Sequence, residues 1–305
     1  MQRPANWGMI VISGVYVPLL TAFDHAGRVD TEAYAAFAQW QVGRGVDGLV
    51  PFGTSGEGPS LSMRERLAVL ARLADAVPGT PLIPAVMESS LDAVLEFVSA
   101  VNDLPAAGIM VLPPYYFRPL LADQLRRFIE PVLAASSHPV LLYHIPQFGP
   151  PVPVEALAGL PVWGVKDSGG DLAYTRSVLD AGDNVMVGSE QTLIEAIGLG
   201  AAGGISGLAN LLPEHLVTAC AAARAGDPET AATTLAPALS FQERLLAACR
   251  VSPVEWISVA KRLAAGRSGV DLGDVRPPMP VAPNDASASL MPYLEAVLSE
   301  LAEAR

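Results

Sequence analysis

The stretch PVWGVKD, at positions 161–167, decides the fold that the sequence predicts. It is a short apolar run, rich in β-forming residues and bounded by proline and glycine, as is typical of a buried strand in a parallel sheet. Lys166 falls at the C-terminal end of this run. In α/β proteins that end of the strands is where ligands bind, so we expect Lys166 to face a binding site.

Lysine is rare in this chain, which has it only at positions 166 and 261 and uses arginine for its other basic residues. A primary amine next to an apolar wall loses its charge more readily than one in water, and an uncharged amine attacks carbonyl groups. Arginine cannot be deprotonated in this way, so a Schiff base requires lysine. The alternative is a buried ion pair of Lys166 with Asp167 or another carboxylate, and position 166 alone leaves both open.

Outward from this run, the chain alternates between short apolar segments and longer segments with helical spacing. The predicted strands are 14–20, 46–52, 81–86, 108–112, 139–144, 162–166, 184–187 and 202–206. Helix starts are predicted between them, for example at Ser62, where Glu65 completes a capping box. Eight strands, each followed by a helix, predict a (β/α)8 TIM barrel, with an open doubly wound sheet as the alternative architecture.

After residue 226 the strand pattern stops, and helices are predicted over 227–250, 253–265 and 290–304, with an extended proline-rich linker at 276–283. We therefore divide the chain into an N-terminal leader (1–13), a catalytic barrel (14–226) and an appended C-terminal helical region (227–305).

The composition excludes several classes of function. The 305 residues are 51% hydrophobic, with a mean hydropathy of +0.36, which is enough for a large core, and no apolar run is long enough to cross a membrane. A formal net charge of −12 argues against binding to nucleic acid or to anionic membranes. Cys220 and Cys249 are interpreted as free thiols of a cytoplasmic protein, and neither cysteines nor histidines show the spacing of a metal site.

Three further motifs follow predicted strands. The loop FGTSGEG (52–58) offers the hydroxyls of Thr54 and Ser55 and nearby backbone N–H groups to an oxyanion, although a plain glycine-rich turn has the same pattern. Within this loop, Glu57 is interpreted as a structural hydrogen-bond acceptor. The segment PPYYFRP (113–119) holds Tyr115 and Tyr116 between prolines after the fourth strand.

Tyr143 closes the fifth strand, beside the strand of Lys166, and a phenol there could move protons, although packing is its commoner role. By strand alternation, His144 faces the helices instead. In a barrel, the C-terminal ends of all strands lie at one mouth, so Thr54, Ser55, Tyr115, Tyr116, Tyr143 and Lys166 would lie together there. This common location favours Schiff-base chemistry at Lys166.

The segments FGTSGE, PPYY, YHIP, GVKDS and GGISGLANLLP (203–213) resemble, in order and spacing, those of the dihydrodipicolinate synthase and N-acetylneuraminate lyase family of class I pyruvate-dependent aldolases. The resemblance implies an imine between Lys166 and a 2-oxo acid such as pyruvate, with no further cofactor and no metal. It implies that Tyr143 shuttles the proton and that Thr54 and Ser55 bind the carboxylate and relay protons. It also implies that Tyr116 reaches the site of a neighbouring subunit in a homo-oligomer, a dimer or tetramer. The substrate-binding residues that it implies are Gly53, Thr54, Ser55, Gly188, Glu190 and Ile205.

The chain departs from the family pattern at two positions. Phe148 stands where synthases carry the arginine that binds the carboxylate of the aldehyde, and His144 replaces an asparagine. We therefore favour a lyase or aldolase acting on pyruvate or a 2-oxo-3-deoxy sugar acid, with Glu190 and Gln191 either binding its hydroxyls or capping a surface helix. The alternatives are a dihydrodipicolinate synthase proper, a non-catalytic barrel that binds an oxo acid and, last, a phosphate-binding barrel.

Overall fold

A parallel eight-stranded sheet forms the centre of the protein. The structure, a computed structural model, describes residues 11–249, 252 and 254–303, so that most of the predicted leader lies outside the described residues. The strands lie in the order β2-β1-β8-β7-β6-β5-β4-β3. Their bounds are β1 Gly14–Val17, β2 Gly48–Leu49, β3 Ala85–Val86, β4 Ile109–Val111, β5 Val140–His144, β6 Gly164–Asp167, β7 Asn184–Val187 and β8 Gly203–Ile205.

The sheet closes between β2 and β3. Leu49 forms a parallel bridge with Leu82, and its N–H donates to the carbonyl of Pro81 at 2.9 Å while its own carbonyl accepts from Ile83 N–H at 2.9 Å. The architecture is therefore the predicted (β/α)8 barrel, and the open doubly wound alternative is wrong. β2 and β3 are shorter than predicted because Pro51, Pro81 and Pro84 lie in these runs and cannot donate a ladder hydrogen bond.

Side chains alternate between the inside of the barrel and the helices outside it. Leu141 and Tyr143 of β5 join the apolar cluster inside the barrel, whereas Leu142 packs in the outer core. The prediction for His144 is confirmed, because its Nδ1 accepts the N–H of Val152 at 3.0 Å and its ring stacks on Tyr174 at 4.0 Å. Burial lowers the pKa of His144.

Helices surround the ring. Their bounds are α1 Thr31–Val42, α2 Met63–Ala76, α3 Leu91–Val101, α4 Ala122–Ala135, α5 Val154–Leu157, α6 Leu172–Asp180, α7 Leu193–Leu199 and α8 Pro213–Arg224. Ser62 forms the predicted capping box with Glu65 at the start of α2, and Asp30 and Ser90 accept hydrogen bonds from the first turns of α1 and α3.

Three helices follow the barrel in the part of the chain that the structure describes: α9 Pro228–Ala248, α10 Trp256–Ser268 and α11 Asn284–Glu303. The last begins six residues earlier than residue 290, where we predicted its start, and takes in the polar residues DASAS at 285–289. The predicted helix ends at positions 250 and 253 lie outside the described residues. Cys220 and Cys249 are free, and burial raises the pKa of the Cys220 thiol to about 11. No helix in the described part of the chain combines the length and the apolar character needed to span a bilayer.

Candidate active site

A cavity of about 180 Å³ lies at the C-terminal mouth of the barrel. The strands and their loops form its floor, and the helices α9 and α10 contribute to one side. It is lined by Pro18, Thr54, Ser55, Tyr143, Ile145, Phe148, Lys166, Ser168, Gly188, Glu190, Ile205, Gly207, Leu208, Leu211, Gln242, Leu245, Leu246 and Trp256.

Lys166 and Tyr143 lie side by side at the floor of this cavity. They are register partners in the neighbouring strands β6 and β5, and their side chains are 3% and 2% exposed. The Nζ of Lys166 lies 4.2 Å from the centroid of the Tyr143 ring. Among the described residues, no ion pair or hydrogen bond holds this amine. The geometry therefore presents an unpaired primary amine and a phenol to the same small space.

Asp167, the proposed ion-pair partner of Lys166, points the other way. Its Oδ1 accepts the N–H of Gly169 at 2.8 Å, and its Oδ2 accepts the hydroxyl of Thr175, on α6, at 2.7 Å. The alternative of an ion pair between Lys166 and Asp167 is therefore wrong, because successive residues of a strand face opposite sides of the sheet.

The loop after β2 brings Thr54 and Ser55 to the cavity. The Oγ1 of Thr54 lies 3.3 Å from the Tyr143 hydroxyl, and Ser55 is buried in the lining. Hydrogen bonds from Glu57 N–H to the Thr54 carbonyl and from Gly58 N–H to the Gly53 carbonyl, both 3.1 Å, hold the turn. Of the predicted residues in this loop, Gly53 does not line the cavity; it serves the turn through its carbonyl.

Glu57, in the same loop, turns away from the cavity into a buried ion pair. Its Oε1 accepts from Lys261 Nζ at 3.1 Å, and its Oε2 accepts the N–H of Arg276 at 2.8 Å. Burial raises the pKa of Glu57 and lowers that of Lys261, while the opposite charge of each partner counteracts the shift of the other. Our interpretation of Glu57 as a structural acceptor is confirmed.

Gly188 and Ile205 line the cavity at the ends of β7 and β8. The N–H of Gly188 donates to the Asp167 carbonyl at 2.6 Å, and a Cβ on Gly188 would lie only 2.0 Å from the Oγ of Ser168. Glycine therefore leaves this part of the cavity open.

Glu190 is held at the edge of the cavity by three donors. Its Oε1 accepts from the Ser206 hydroxyl at 2.6 Å and from Leu208 N–H at 3.2 Å, and its Oε2 accepts from Gln242 Nε2 at 2.7 Å. It is 6% exposed, so it is not the cap of a surface helix. Gln191, by contrast, is exposed and donates to Gln242 Oε1 at 2.8 Å.

Tyr116 lies outside the cavity of its own chain. Its side chain is 77% exposed and packs edge-to-face on Phe117, with ring centroids 5.2 Å apart. Tyr115 is also exposed, and neither tyrosine lines the cavity. The structure thus brings together Lys166, Tyr143, Thr54, Ser55, Gly188, Glu190 and Ile205 around one cavity, but not Gly53 or Tyr116.

Sequence reasoning missed several residues of the lining, among them Ser168, Gln242 and Trp256. Ser168 could have been found, because it directly follows β6. Gln242 and Trp256 lie on helices after the barrel, where no strand end marks a residue as facing the site. Within the described residues, no group of three or more His, Cys, Asp or Glu side chains is arranged to hold a metal ion.

The chain matches known proteins along nearly all of its length. The model of the dihydrodipicolinate synthetase family covers residues 11–297. A 4-hydroxy-tetrahydrodipicolinate synthase of Streptomyces coelicolor is 32% identical over 280 residues, or 90% of each chain. A 2-keto-3-deoxygluconate aldolase variant of Sulfolobus solfataricus has a TM-score of 0.84 and 25% identity, covering 95% of this chain and 98% of that one.

A sialic acid aldolase of Ruminococcus gnavus has the same fold, with a TM-score of 0.87 and 20% identity, over 94% of this chain and 98% of that one. The closed barrel and the Lys166 amine at its mouth, which has no ion-pair or hydrogen-bond partner among the described residues, are consistent with these matches. The chain therefore belongs to the dihydrodipicolinate synthetase family, and with it to the class I lyases and aldolases.

Proposed function

We propose that the protein is a Schiff-base lyase or aldolase for pyruvate and 2-oxo-3-deoxy acids, sugar acids included, and that Lys166 forms the imine. One observation carries this proposal: the Lys166 amine faces the cavity with no ion-pair partner among the described residues, 4.2 Å from the ring of Tyr143. An amine with these neighbours is free to attack a carbonyl carbon.

In the proposed reaction, Lys166 Nζ attacks the C2 carbonyl of the 2-oxo acid, and loss of one water gives the imine. The protonated imine withdraws electrons from C3. Either a C3 proton leaves or the bond between C3 and C4 breaks, and both routes give an enamine on Lys166. Because the imine itself accepts the electron pair, the reaction requires no further cofactor.

The neighbouring side chains fit the remaining steps. The Tyr143 hydroxyl carries protons to and from the reacting atoms, and Thr54, 3.3 Å away, relays them. The Ser55 hydroxyl and the backbone N–H groups of Thr54 and Ser55 bind the substrate carboxylate. The backbone at Gly188 and Ile205 shapes the rest of the pyruvate site, and Glu190 faces the far end of the substrate.

A dihydrodipicolinate synthase proper is the second candidate, favoured by the similarity to the 4-hydroxy-tetrahydrodipicolinate synthase of Streptomyces coelicolor. Against it, Phe148 lines the cavity where the resemblance leads us to expect an arginine, and the described lining contains no arginine. A second carboxylate on the aldehyde would then lack the bidentate partner that a guanidinium supplies. Membership of an enzyme family argues against the non-catalytic barrel.

We also propose a homo-oligomer in the cytoplasm. Tyr116, Phe117 and Leu121 are 77%, 64% and 63% exposed in the segment after β4, an apolar group that a second copy of the chain would cover. In that assembly Tyr116 would reach the site of the neighbouring subunit. Two free cysteines agree with a reducing compartment.

The experiment is reduction with borohydride in the presence of pyruvate, followed by peptide mass mapping. We expect one reduced pyruvate adduct on Lys166. Lys261 is an internal control, because it is the only other lysine and lies in a buried ion pair. The Lys166→Arg variant keeps the charge and should give no adduct. Folded protein without an adduct on Lys166, or with the adduct on Lys261, would refute the proposal.

A further inference from the structure

We infer that the acceptor end of the substrate, the part beyond C4, is uncharged and apolar: an aliphatic or aromatic aldehyde in the direction of condensation. This inference rests on the proposed function and narrows its range of 2-oxo acids. It comes from an apolar wall of the cavity, to which helices α9 and α10 contribute side chains that the sequence motifs did not identify.

That wall is made of large apolar side chains. Leu245 and Leu246 come from α9, Trp256 from α10, Leu211 from the turn after β8, and Phe148 from the loop after β5. A Cβ on Gly207 would lie 3.0 Å from the Trp256 ring and 3.6 Å from the Ser55 hydroxyl. Apolar surface thus begins next to the proposed carboxylate site, and a substrate extending from that site must meet it.

Part of this wall is open to solvent in the free chain. Leu246 is 47% exposed and Phe148 is 36% exposed, although both line the cavity. When an apolar group of the substrate covers this exposed apolar surface, binding becomes more favourable, and each buried methylene or ring adds to the effect. A hydroxylated chain would have to give up hydrogen bonds to water to lie against the same side chains.

Glu190 and Gln242, two polar side chains of the lining beside this wall, are already engaged. Glu190 accepts three hydrogen bonds, from Ser206, Leu208 and Gln242, out of the roughly four that a carboxylate can accept. The amide of Gln242 donates to Glu190 and accepts from Gln191. A polyol that displaced these bonds would leave buried polar groups unpaired, which is costly.

Charge excludes a second class of acceptor. In the described lining, Lys166 is the only lysine or arginine and Glu190 is the only aspartate or glutamate. Once Lys166 forms the imine, the carboxylate of the bound 2-oxo acid balances its charge. Glu190 then presents a negative charge to the rest of the cavity, with no arginine to balance an incoming anion. A second carboxylate or a phosphate on the acceptor would be repelled.

The step itself is an aldol addition. The enamine carbon on Lys166 attacks the aldehyde carbonyl carbon, a C–C bond forms, and the aldehyde oxygen takes a proton from Tyr143 to become a hydroxyl. Water then hydrolyses the imine and releases a 4-hydroxy-2-oxo acid. Cleavage of that acid reverses each bond change.

The test measures kcat/KM for condensation of pyruvate with four aldehydes, by mass-spectrometric detection of the products. Butanal and benzaldehyde are apolar, D-glyceraldehyde is hydroxylated, and aspartate semialdehyde carries a second carboxylate. We expect the two apolar aldehydes to exceed the others by about 10-fold or more, the discrimination typical of a few buried carbon atoms. Equal or better turnover of D-glyceraldehyde or aspartate semialdehyde, or no turnover of either apolar aldehyde, would overturn the inference.

Two variants and a control sharpen the test. Leu246→Asn should lower the preference for apolar aldehydes several-fold, and Phe148→Arg should raise turnover of aspartate semialdehyde. Val281→Asn changes an exposed apolar side chain outside the cavity and should leave the preference unchanged. Trapping of pyruvate by borohydride in the wild-type protein distinguishes failure of this inference from failure of the proposed function. If the adduct forms on Lys166 but the preference is absent, the inference fails and the proposed function stands.

Discussion

The two lysines of this chain have nearly the same exposure and opposite surroundings. Lys166 is 3% exposed and Lys261 is 1% exposed, and each amine lies over an aromatic ring, at 4.2 Å from Tyr143 and 4.4 Å from Phe23. Lys261 donates to Glu57 at 3.1 Å and to the Asp274 carbonyl at 2.8 Å. Lys166 has no such partner among the described residues and borders a cavity instead.

The difference shows that burial alone does not identify a reactive amine. An ion pair fixes the amine of Lys261 and uses its hydrogens, whereas a neighbouring cavity leaves the amine of Lys166 free to meet a substrate. The pair also has a structural role. Glu57 lies in the loop that carries Thr54 and Ser55, and its bonds to Lys261 and Arg276 tie that loop to the C-terminal helical region.

The first prediction compares the same substitution at both lysines, starting with Lys166→Met. We expect activity to fall by about 10⁴-fold or more, as when other covalent nucleophiles are removed. The free energy of unfolding should change little, because the buried amine has no ion-pair or hydrogen-bond partner among the described residues and methionine has a similar volume. Steady-state kinetics and urea denaturation measure the two effects. A Lys166→Met variant that retained much of its activity would show that Lys166 is not the reactive amine.

At the other lysine, Lys261→Met should act on stability. It leaves the carboxylate of Glu57 buried without its partner, and we expect a loss of about 3–5 kcal/mol in the free energy of unfolding. The double variant Glu57→Gln with Lys261→Met removes the stranded charge and should recover part of that loss. Denaturant titrations of the wild type, the single variants Lys261→Met and Glu57→Gln, and the double variant form a double-mutant cycle. A loss below about 1 kcal/mol for Lys261→Met would mean that the pair does not stabilise the link between the loop and the C-terminal helical region.

The sequence was sufficient to predict the features that depend on local order along the chain. The ends of β5 and β6 follow from short apolar runs, so Tyr143 and Lys166 were placed at one mouth, and alternation along the strand placed His144 outside. The closure of the ring at β2 and β3 was harder to predict, since prolines interrupt the ladder there.

Contacts between distant parts of the chain could not be predicted in this way. The Glu57–Lys261 pair joins residues 204 positions apart, and Gln242 reaches Glu190 across 52 positions. Neither contact has a periodicity or a spacing that marks it, because both depend on how α9 and α10 pack against the barrel. The direction of Tyr116, on an exposed segment between prolines, was likewise not fixed by local pattern.

The smallest expected effect concerns the partly exposed ion pair of Arg276 with Glu65, next to the buried pair. Arg276 donates its backbone N–H to Glu57, and its guanidinium contacts Glu65 at 2.8 Å near the surface. The hydrogen bond from Arg276 lowers the pKa of Glu65 from 4.5 to about 2. A folded-state pKa below the unfolded value contributes stability that is fully present above about pH 4.5 and is lost as the pH falls towards about 2.

Glu65→Gln tests how much the charge of this partly exposed carboxylate contributes to the free energy of unfolding. Glutamine retains one acceptor oxygen for the capping box with Ser62, so the substitution removes the charge and one of the two hydrogen bonds from Arg276. We expect the wild type to be more stable by about 1 kcal/mol at pH 7, as for a partly exposed pair, and the difference to shrink as the pH falls from 5 to 3. Urea denaturation at pH 7, 5, 4 and 3 measures it. A difference that stayed constant with pH would assign the effect to helix capping, and the buried pair of Lys261 would then account for the electrostatic link between the loop and the C-terminal helical region.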